Sequence, residues 1–403
     1  MRRVVRVLLL VFAFAVPWEY SLDIGEPFGN IARIVSLVLL AAAIPAVLYH
    51  GRLRTPGVLQ WLVLTIFVWS CCTCFWTVDQ PATLARLRGY FQVMMPVWLI
   101  WEFAESPEDL RDLLRAYVAG SWVLAVLTIA SLASPDAATQ VRFVAEGQDP
   151  NDVARFLDLG FPMSALLLDW ESRWPWRLLV LGYLPVGFLG VLLTASRGGF
   201  LAAVVALAGC GLLLLSRHRR ALVAGAVSLP AIAAAFWFLI PHETLARIGT
   251  IPQQLLTGDL NQRLNIWSAG WQAFVHAPFF GAGVGTFVQA ARLAPADTAH
   301  NTALTVAVEG GIVALILASA ILAVCARSVL ATCGSARVAL GTALLVWMVT
   351  SLVATVEANR TTWLLMGLLS LAGRLETEEP GSMESCCSRE TQVELAAVAG
   401  ETA

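Results

Sequence analysis

Apolar residues in this chain arrive in runs of about twenty, again and again, and that run length limits the fold more than any motif does. A helix needs roughly 20 apolar residues to cross about 30 Å of hydrocarbon. Twelve stretches qualify: residues 4–18, 31–49, 57–76, 90–104, 113–133, 153–170, 177–194, 199–216, 221–240, 302–325, 336–354 and 361–374. The first follows Arg2, Arg3 and Arg6 and resembles a signal peptide in outline, but with eleven spans behind it an uncleaved helix is expected. Composition agrees. Charged residues make up 13% of the chain and mean hydropathy is +0.73, whereas ordinary soluble domains carry roughly 25% charge. A soluble enzyme, a nucleic-acid binder and a disordered scaffold are excluded. The expected fold class is an all-α integral membrane protein with about twelve transmembrane helices.

Arginine placement orients it. With the N-terminus inside, the inner loops collect about twice as many arginines as the outer ones, among them Arg2, Arg6, Arg54, Arg115, Arg177, Arg337 and Arg374. The cluster Ser216-Arg217-His218-Arg219-Arg220 anchors that side. Arg86, Arg88, Arg142, Arg197, Arg247, Arg263, Arg292 and Arg360 fall outside. Both termini are then cytoplasmic. Residues 1–374 form the membrane domain, with a long outer loop at 241–301 between the ninth and tenth spans. Residues 375–403, polar and acidic, are expected to be a disordered cytoplasmic tail. Within the loop, Leu264, Ile266, Trp267, Trp271 and Phe274 recur at helical spacing, as in a helix lying in the headgroup layer with Trp267 and Trp271 as anchors.

Some chemistry is excluded outright. Every one of the 26 basic residues is arginine, so lysine Schiff bases and lysine-dependent phosphate loops are absent. Of the eight cysteines, none pairs with another in a segment placed outside the membrane, and Cys71-Cys72-x-Cys74 lacks a second ligand cluster. Neither disulfides nor a metal site is expected.

Four constellations lie on the outer side. In Thr194-Ala195-Ser196-Arg197-Gly198-Gly199 almost no loop separates two apolar runs, so Arg197 sits at the membrane surface, where charge tends to face a cavity or a partner. A hairpin-capping, snorkelling arginine is the plainer reading. Gly198 and Gly199 permit a tight turn. Arg263 opens the amphipathic helix and is followed by Pro278-Phe-Phe-Gly281-Ala-Gly283-Val-Gly285, which reads as a flexible turn and fails as a nucleotide fingerprint, since no strand precedes it. His300, in Ala299-His300-Asn301-Thr302, sits where the tenth span begins; histidine is the natural general base near neutrality, although a lone histidine at a helix start is often a cap. Glu309-Gly310-Gly311 follows inside the membrane, where a carboxylate must be protonated, paired or hydrogen-bonded. Glu357-Ala-Asn359-Arg360 adds one more arginine, and Gln148-Asp149-Pro150-Asn151-Asp152 reads as helix-initiating residues. Arginine's planar fork suits a pyrophosphate, and it stabilises developing charge without a metal.

On the Thr-Ala-Ser-Arg197-Gly-Gly turn, the Arg263…Trp267…Pro278-Phe-Phe-Gly-Ala-Gly-Val-Gly loop and His300-Asn301-x7-Glu309-Gly310-Gly311, the sequence resembles the O-antigen ligase and polymerase superfamily of bacterial envelope glycosyltransferases. Twelve spans and a long loop between the ninth and tenth favour its ligase branch. The resemblance implies that Arg197 and Arg263, joined by Arg292 and Arg360, grip the diphosphate of an undecaprenyl-diphosphate-linked glycan. It implies His300 as the base that deprotonates the acceptor hydroxyl, with Ser196, Gly198, Asn301 and Glu309 in support. Transfer would invert the anomeric carbon without cofactor, metal or nucleotide. The acceptor would be a sugar hydroxyl of lipid A-core, and the protein would lie in the inner membrane with its site facing the periplasm. A polymerase taking a second lipid-linked repeat is the alternative. A polysaccharide-lipid transporter is a third reading, disfavoured because the arginines cluster at the surface and not at the midplane.

Overall fold

The computed structural model describes residues 1–381 apart from 26–28, 218–222, 224–231, 233, 257, 259–261 and 296. The described residues are helical, without a strand; one isolated bridge joins Asp23 and Asn30. The helices are α1 Arg2–Ala15, α2 Ile31–His50, α3 Val58–Cys72, α4 Gln80–Phe103, α5 Pro107–Ala130, α6 Pro150–Trp170, α7 Trp174–Leu193 and α8 Arg197–Arg217. After the loop segment, whose short helices are α9 His242–Gly249, α10 Ile251–Leu256, α11 Arg263–His276 and α12 Phe287–Ala290, come α13 Thr302–Ala331, α14 Gly334–Ser351 and α15 Arg360–Glu378.

Among the described residues, eight helical stretches are long and apolar enough to cross a bilayer: Arg2–Ser21, Ile31–His50, Val58–Phe75, Pro107–Ala133, Trp174–Leu193, Arg197–Leu215, Thr302–Ala331 and Gly334–Ser351. The expected span at 221–240 falls mostly outside the described residues, of which 234–239 are helical. The fourth, sixth and twelfth expected spans form α4, α6 and α15, long helices that carry more charge. For α6 and α15 the packing shows why they tolerate it. In α6, 17 of 21 residues are buried, and in α15, 17 of 19. A helix wrapped by other helices meets protein on every side, so paired charges such as Arg155 with Asp152 (2.9 Å) replace lipid contact.

Local signals place the helix starts. Asp79 caps α4 by accepting from Ala82 N at 3.0 Å, ten residues before the expected start of that span. Ser106 and Asp109 form a capping box at α5, with Pro107 in its first turn. Asp149 accepts from Asn151 N (2.8 Å) at the start of α6. At the other end of the chain α15 runs four residues into the expected tail. There Cys333 Sγ donates to Glu376 (3.0 Å) and Arg374 donates to the Trp101 carbonyl (2.6 Å). The tail beyond 381 lies outside the described residues.

The two arginine sets separate to opposite ends of the bundle. At one end Arg2 pairs with Glu102 (3.0 Å), Arg6 with Glu105, Arg115 with Glu171, and Arg54 N donates to Glu102 (2.8 Å). At the other end the loops 134–149, 194–196, 241–301 and 352–359 gather over the helix ends.

One helix is interrupted there. Gly311 takes φ 68° and ψ −167° inside α13, which frees carbonyls of the preceding turn. The 278–285 loop fills the break: Ala282 N donates to Val308 O (2.9 Å), Gly283 N to Glu309 O (2.9 Å), and Ile312 N to Pro278 O (2.8 Å). Trp69 Nε1 covers Gly310 O at 2.9 Å. The carbonyls of Val308, Glu309 and Gly310 thus each have a donor from outside the helix. The glycines are there for close approach, because a Cβ on Gly281 would lie 2.4 Å from Glu309 O and one on Gly311 2.2 Å from Phe279 O. The segment expected to be a flexible turn is a tightly packed plug.

Candidate active site

At the loop end lies a cavity of about 320 Å³. Arg197, Arg263 and His300 line it together, with Arg142, Arg247, Asp149 and Asn151. Five separate stretches of chain contribute these groups, so their convergence is a product of tertiary folding.

The 194–199 turn supplies Arg197. Ala195 holds φ 48°, which lets the chain reverse between α7 and α8 without a loop. The tight turn therefore resides at Ala195 and not, as expected, at the glycines. Gly198 and Gly199 open α8 and let it pack closely: a Cβ on Gly199 would sit 2.3 Å from Ala154 Cβ, and one on Gly198 2.7 Å from Val353. Ser196 Oγ donates to Asn151 Oδ1 (2.8 Å) and accepts from Gly199 N (3.2 Å), tying the turn to the start of α6. Arg142 joins the same hub, donating to Asn151 Oδ1 (3.2 Å) and to Thr194 O (3.0 Å). Arg197 Nε reaches the carbonyl of Arg247 (3.3 Å), which binds α9 to the rim.

Arg263 is the first residue of α11 and is half-buried. The anchoring role expected of this helix divides. Trp271 is exposed, whereas Trp267 turns inward and donates from Nε1 to Ala299 O at 2.9 Å. The helix face that carries Trp267 packs against α13, so this tryptophan braces the chain beside His300. His300 itself has φ 46°, and its Nε2 lies 3.0 Å from Thr298 Oγ1. Asn301 caps α13 through Leu304 N (2.9 Å) and donates to Leu352 O (3.3 Å).

The electrostatics are those of an anion site. Burial lowers the pKa of Arg142, and repulsion from the neighbouring Arg247 charge lowers it further, with Asp149 opposing and Arg197 and Arg263 adding to the decrease. Arg263 is lowered by burial and by Arg197. Among the described residues, the buried Arg247 Nε has no hydrogen-bond partner. Burial, and next Arg263, press the His300 pKa below its ordinary 6.5, against weaker pulls from Asp149 and Asp297, so its imidazole is neutral at pH 7. Among the described residues no three His, Cys, Asp or Glu side chains converge as a metal set.

Three of the other expected site residues lie elsewhere. Arg292 is exposed and lies outside the cavity lining. Arg360 is buried, ion-paired with Glu19 and bonded to Gln92 (3.3 Å). Glu309 accepts from Gly285 N (2.7 Å) and Phe287 N (3.3 Å) and borders a different, apolar cavity of about 160 Å³. It fastens the plug. Conversely, Arg142 and Arg247 counted only as outer-side charges in the sequence; nothing local marks them, because their partners are distant in the chain.

The fold and cavity define a class: a polytopic, all-α membrane protein with an arginine-lined chamber at one end of its bundle. Residues 178–319, about a third of the chain, match the family model described as O-antigen ligase. The match takes in Arg197, Arg263 and His300 but not Arg142. No curated protein matches the chain.

Proposed function

We propose that the protein is an inverting glycosyltransferase of the ligase type. It moves a glycan from undecaprenyl diphosphate to a sugar hydroxyl of lipid A-core at the periplasmic face of the inner membrane. The observation that carries this reading is the shared chamber: a neutral imidazole beside four guanidinium groups whose repulsion only Asp149 offsets among the described lining residues.

Arg197 and Arg263 hold the diphosphate, and Arg142 and Arg247 complete the cradle in place of Arg292 and Arg360. An oligosaccharyl diphosphate diester brings two negative charges, which relieves the repulsion among the arginines. Their forked donors become most effective as the leaving diphosphate gains its third charge, so the chamber favours the transition state over the bound donor. His300 takes the proton from the acceptor hydroxyl. The acceptor oxygen attacks the anomeric carbon opposite the diphosphate, and the anomeric C–O electron pair departs with the phosphate. Configuration inverts. No step requires a metal, because the arginines supply the countercharge. On this reading the chamber end, which carries the smaller arginine set, faces the periplasm and both termini face the cytoplasm.

Deletion of the gene followed by lipopolysaccharide electrophoresis tests it. A bare core with polymer retained on the lipid carrier is the expected result. A core bearing a single repeat would make the protein a polymerase that uses a second lipid-linked repeat as acceptor.

A further inference from the structure

We propose that Thr298 is a positioning residue that selects Nδ1 of His300 as the basic nitrogen, a proposal that rests on His300 acting as the base. An imidazole has two nitrogens, and only the one bearing the lone pair in the neutral tautomer accepts a proton. Here Nε2 is 3.0 Å from Thr298 Oγ1, within hydrogen-bond distance. A threonine hydroxyl can donate or accept; here it is assigned as the acceptor from Nε2–H, which leaves the lone pair on Nδ1.

The surrounding backbone keeps this pair in register. Thr298 and His300 are two residues apart, and at φ 46° the chain folds back so that the ring returns over the hydroxyl. Histidine occupies this left-handed region more readily than most side chains. On one side the carbonyl of Ala299 is held by Trp267 Nε1 (2.9 Å). On the other, Asn301 caps α13 and reaches Leu352 O (3.3 Å). The ring therefore has a fixed seat and one anchored nitrogen.

In the transfer step the acceptor O–H proton moves to Nδ1 as the oxygen bonds to the anomeric carbon and the diphosphate departs. The resulting imidazolium keeps its Nε2–H on Thr298, now as a charge-assisted bond, which is stronger than the neutral one. The hydroxyl thus stabilises the protonated base most where the reaction needs it. Thr298 is itself exposed, so replacing it leaves no buried group stranded.

The test uses the full-length protein in nanodiscs, with the lipid-linked glycan that accumulates in the deletion strain as donor and that strain's lipid A-core as acceptor. Thr298→Val is expected to lower kcat about tenfold, the loss of one hydrogen bond to a charged group, with KM for the donor unchanged. Thr298→Ser should restore it. With 15N-histidine labelling at pH 8, the His300 resonances, identified by their disappearance in His300→Gln, should show a protonated Nε2 and an unprotonated Nδ1. Wild-type kcat in Thr298→Val, or a proton on Nδ1 instead, overturns the proposal while leaving His300 as base intact. Activity surviving in His300→Ala instead removes the reading beneath it.

Discussion

His300 is half-buried, faces Arg263 and has its pKa below 6.5, and each of these facts bears on how the transfer should respond to acid. A base acts only when unprotonated. Glycan transfer is therefore expected to be flat through neutral pH and to fall as pH drops through the His300 pKa, which lies below 6.5. A pH–rate profile whose acid limb lies well above 6.5 would contradict the assignment. His300→Ala should cost at least about a hundredfold in rate with normal insertion and abundance, the usual contribution of a general base. Arg197→Lys should lose roughly ten- to a hundredfold, because an ammonium cannot reproduce a paired contact with two phosphate oxygens. Full activity in that variant would restore the plainer view of Arg197 as a hairpin cap. Lipopolysaccharide electrophoresis from complemented deletion strains reads both.

At the scale of elements, the plug in the α13 break makes the sharpest prediction. Gly281 has φ 69°, and its missing Cβ leaves room for the Glu309 carbonyl. Gly281→Ala should therefore strain the backbone and push the loop out of the break, lowering thermal stability in detergent by several degrees or more. Gly211 on α8 provides the control: among the described residues nothing lies within 4 Å of its added Cβ, so Gly211→Ala should be neutral or slightly stabilising. Equal melting shifts in the two variants would contradict the plug. The glycine spacing itself was visible in the sequence, as were the arginine at the turn and the histidine at the helix start. What Gly281, Gly283 and Gly311 do was not visible, since Gly281 and Gly311 are set by a segment about thirty residues away and Gly283 by Thr77, about two hundred residues away, and a run of glycines looks the same whether it bends freely or is packed tight.

At the scale of the whole molecule, buried ion pairs among the described residues stitch distant helices together, and Arg360 with Glu19 is the deepest of them. Both side chains are almost wholly out of solvent. Arg360→Ala strands a buried carboxylate and should cost about 3–5 kcal/mol. Replacing both partners, as in Glu19→Gln with Arg360→Gln, should recover much of that loss and, with it, glycan transfer. If the double variant regained stability but not transfer, Arg360 would belong with the substrate after all, as its place in the sequence had implied. Thermal unfolding and electrophoresis on the same variants separate the two outcomes.

Residue order alone determined that this chain is a membrane-embedded bundle, because a run of twenty apolar residues has no other economical fate and hydropathy is summed locally. It also sorted the arginines into two sets, since helix lengths alternate the ends at which loops emerge. Tertiary structure decided which arginines meet. Arg142 and Arg247 enter the chamber, Arg292 stays outside it and Arg360 is spent on Glu19, and each outcome depends on how helices remote in sequence pack. Trp267 turned inward for the same reason, its N–H finding the Ala299 carbonyl and not the headgroup layer. Pattern along a chain records what each residue prefers; only packing determines which partner it obtains.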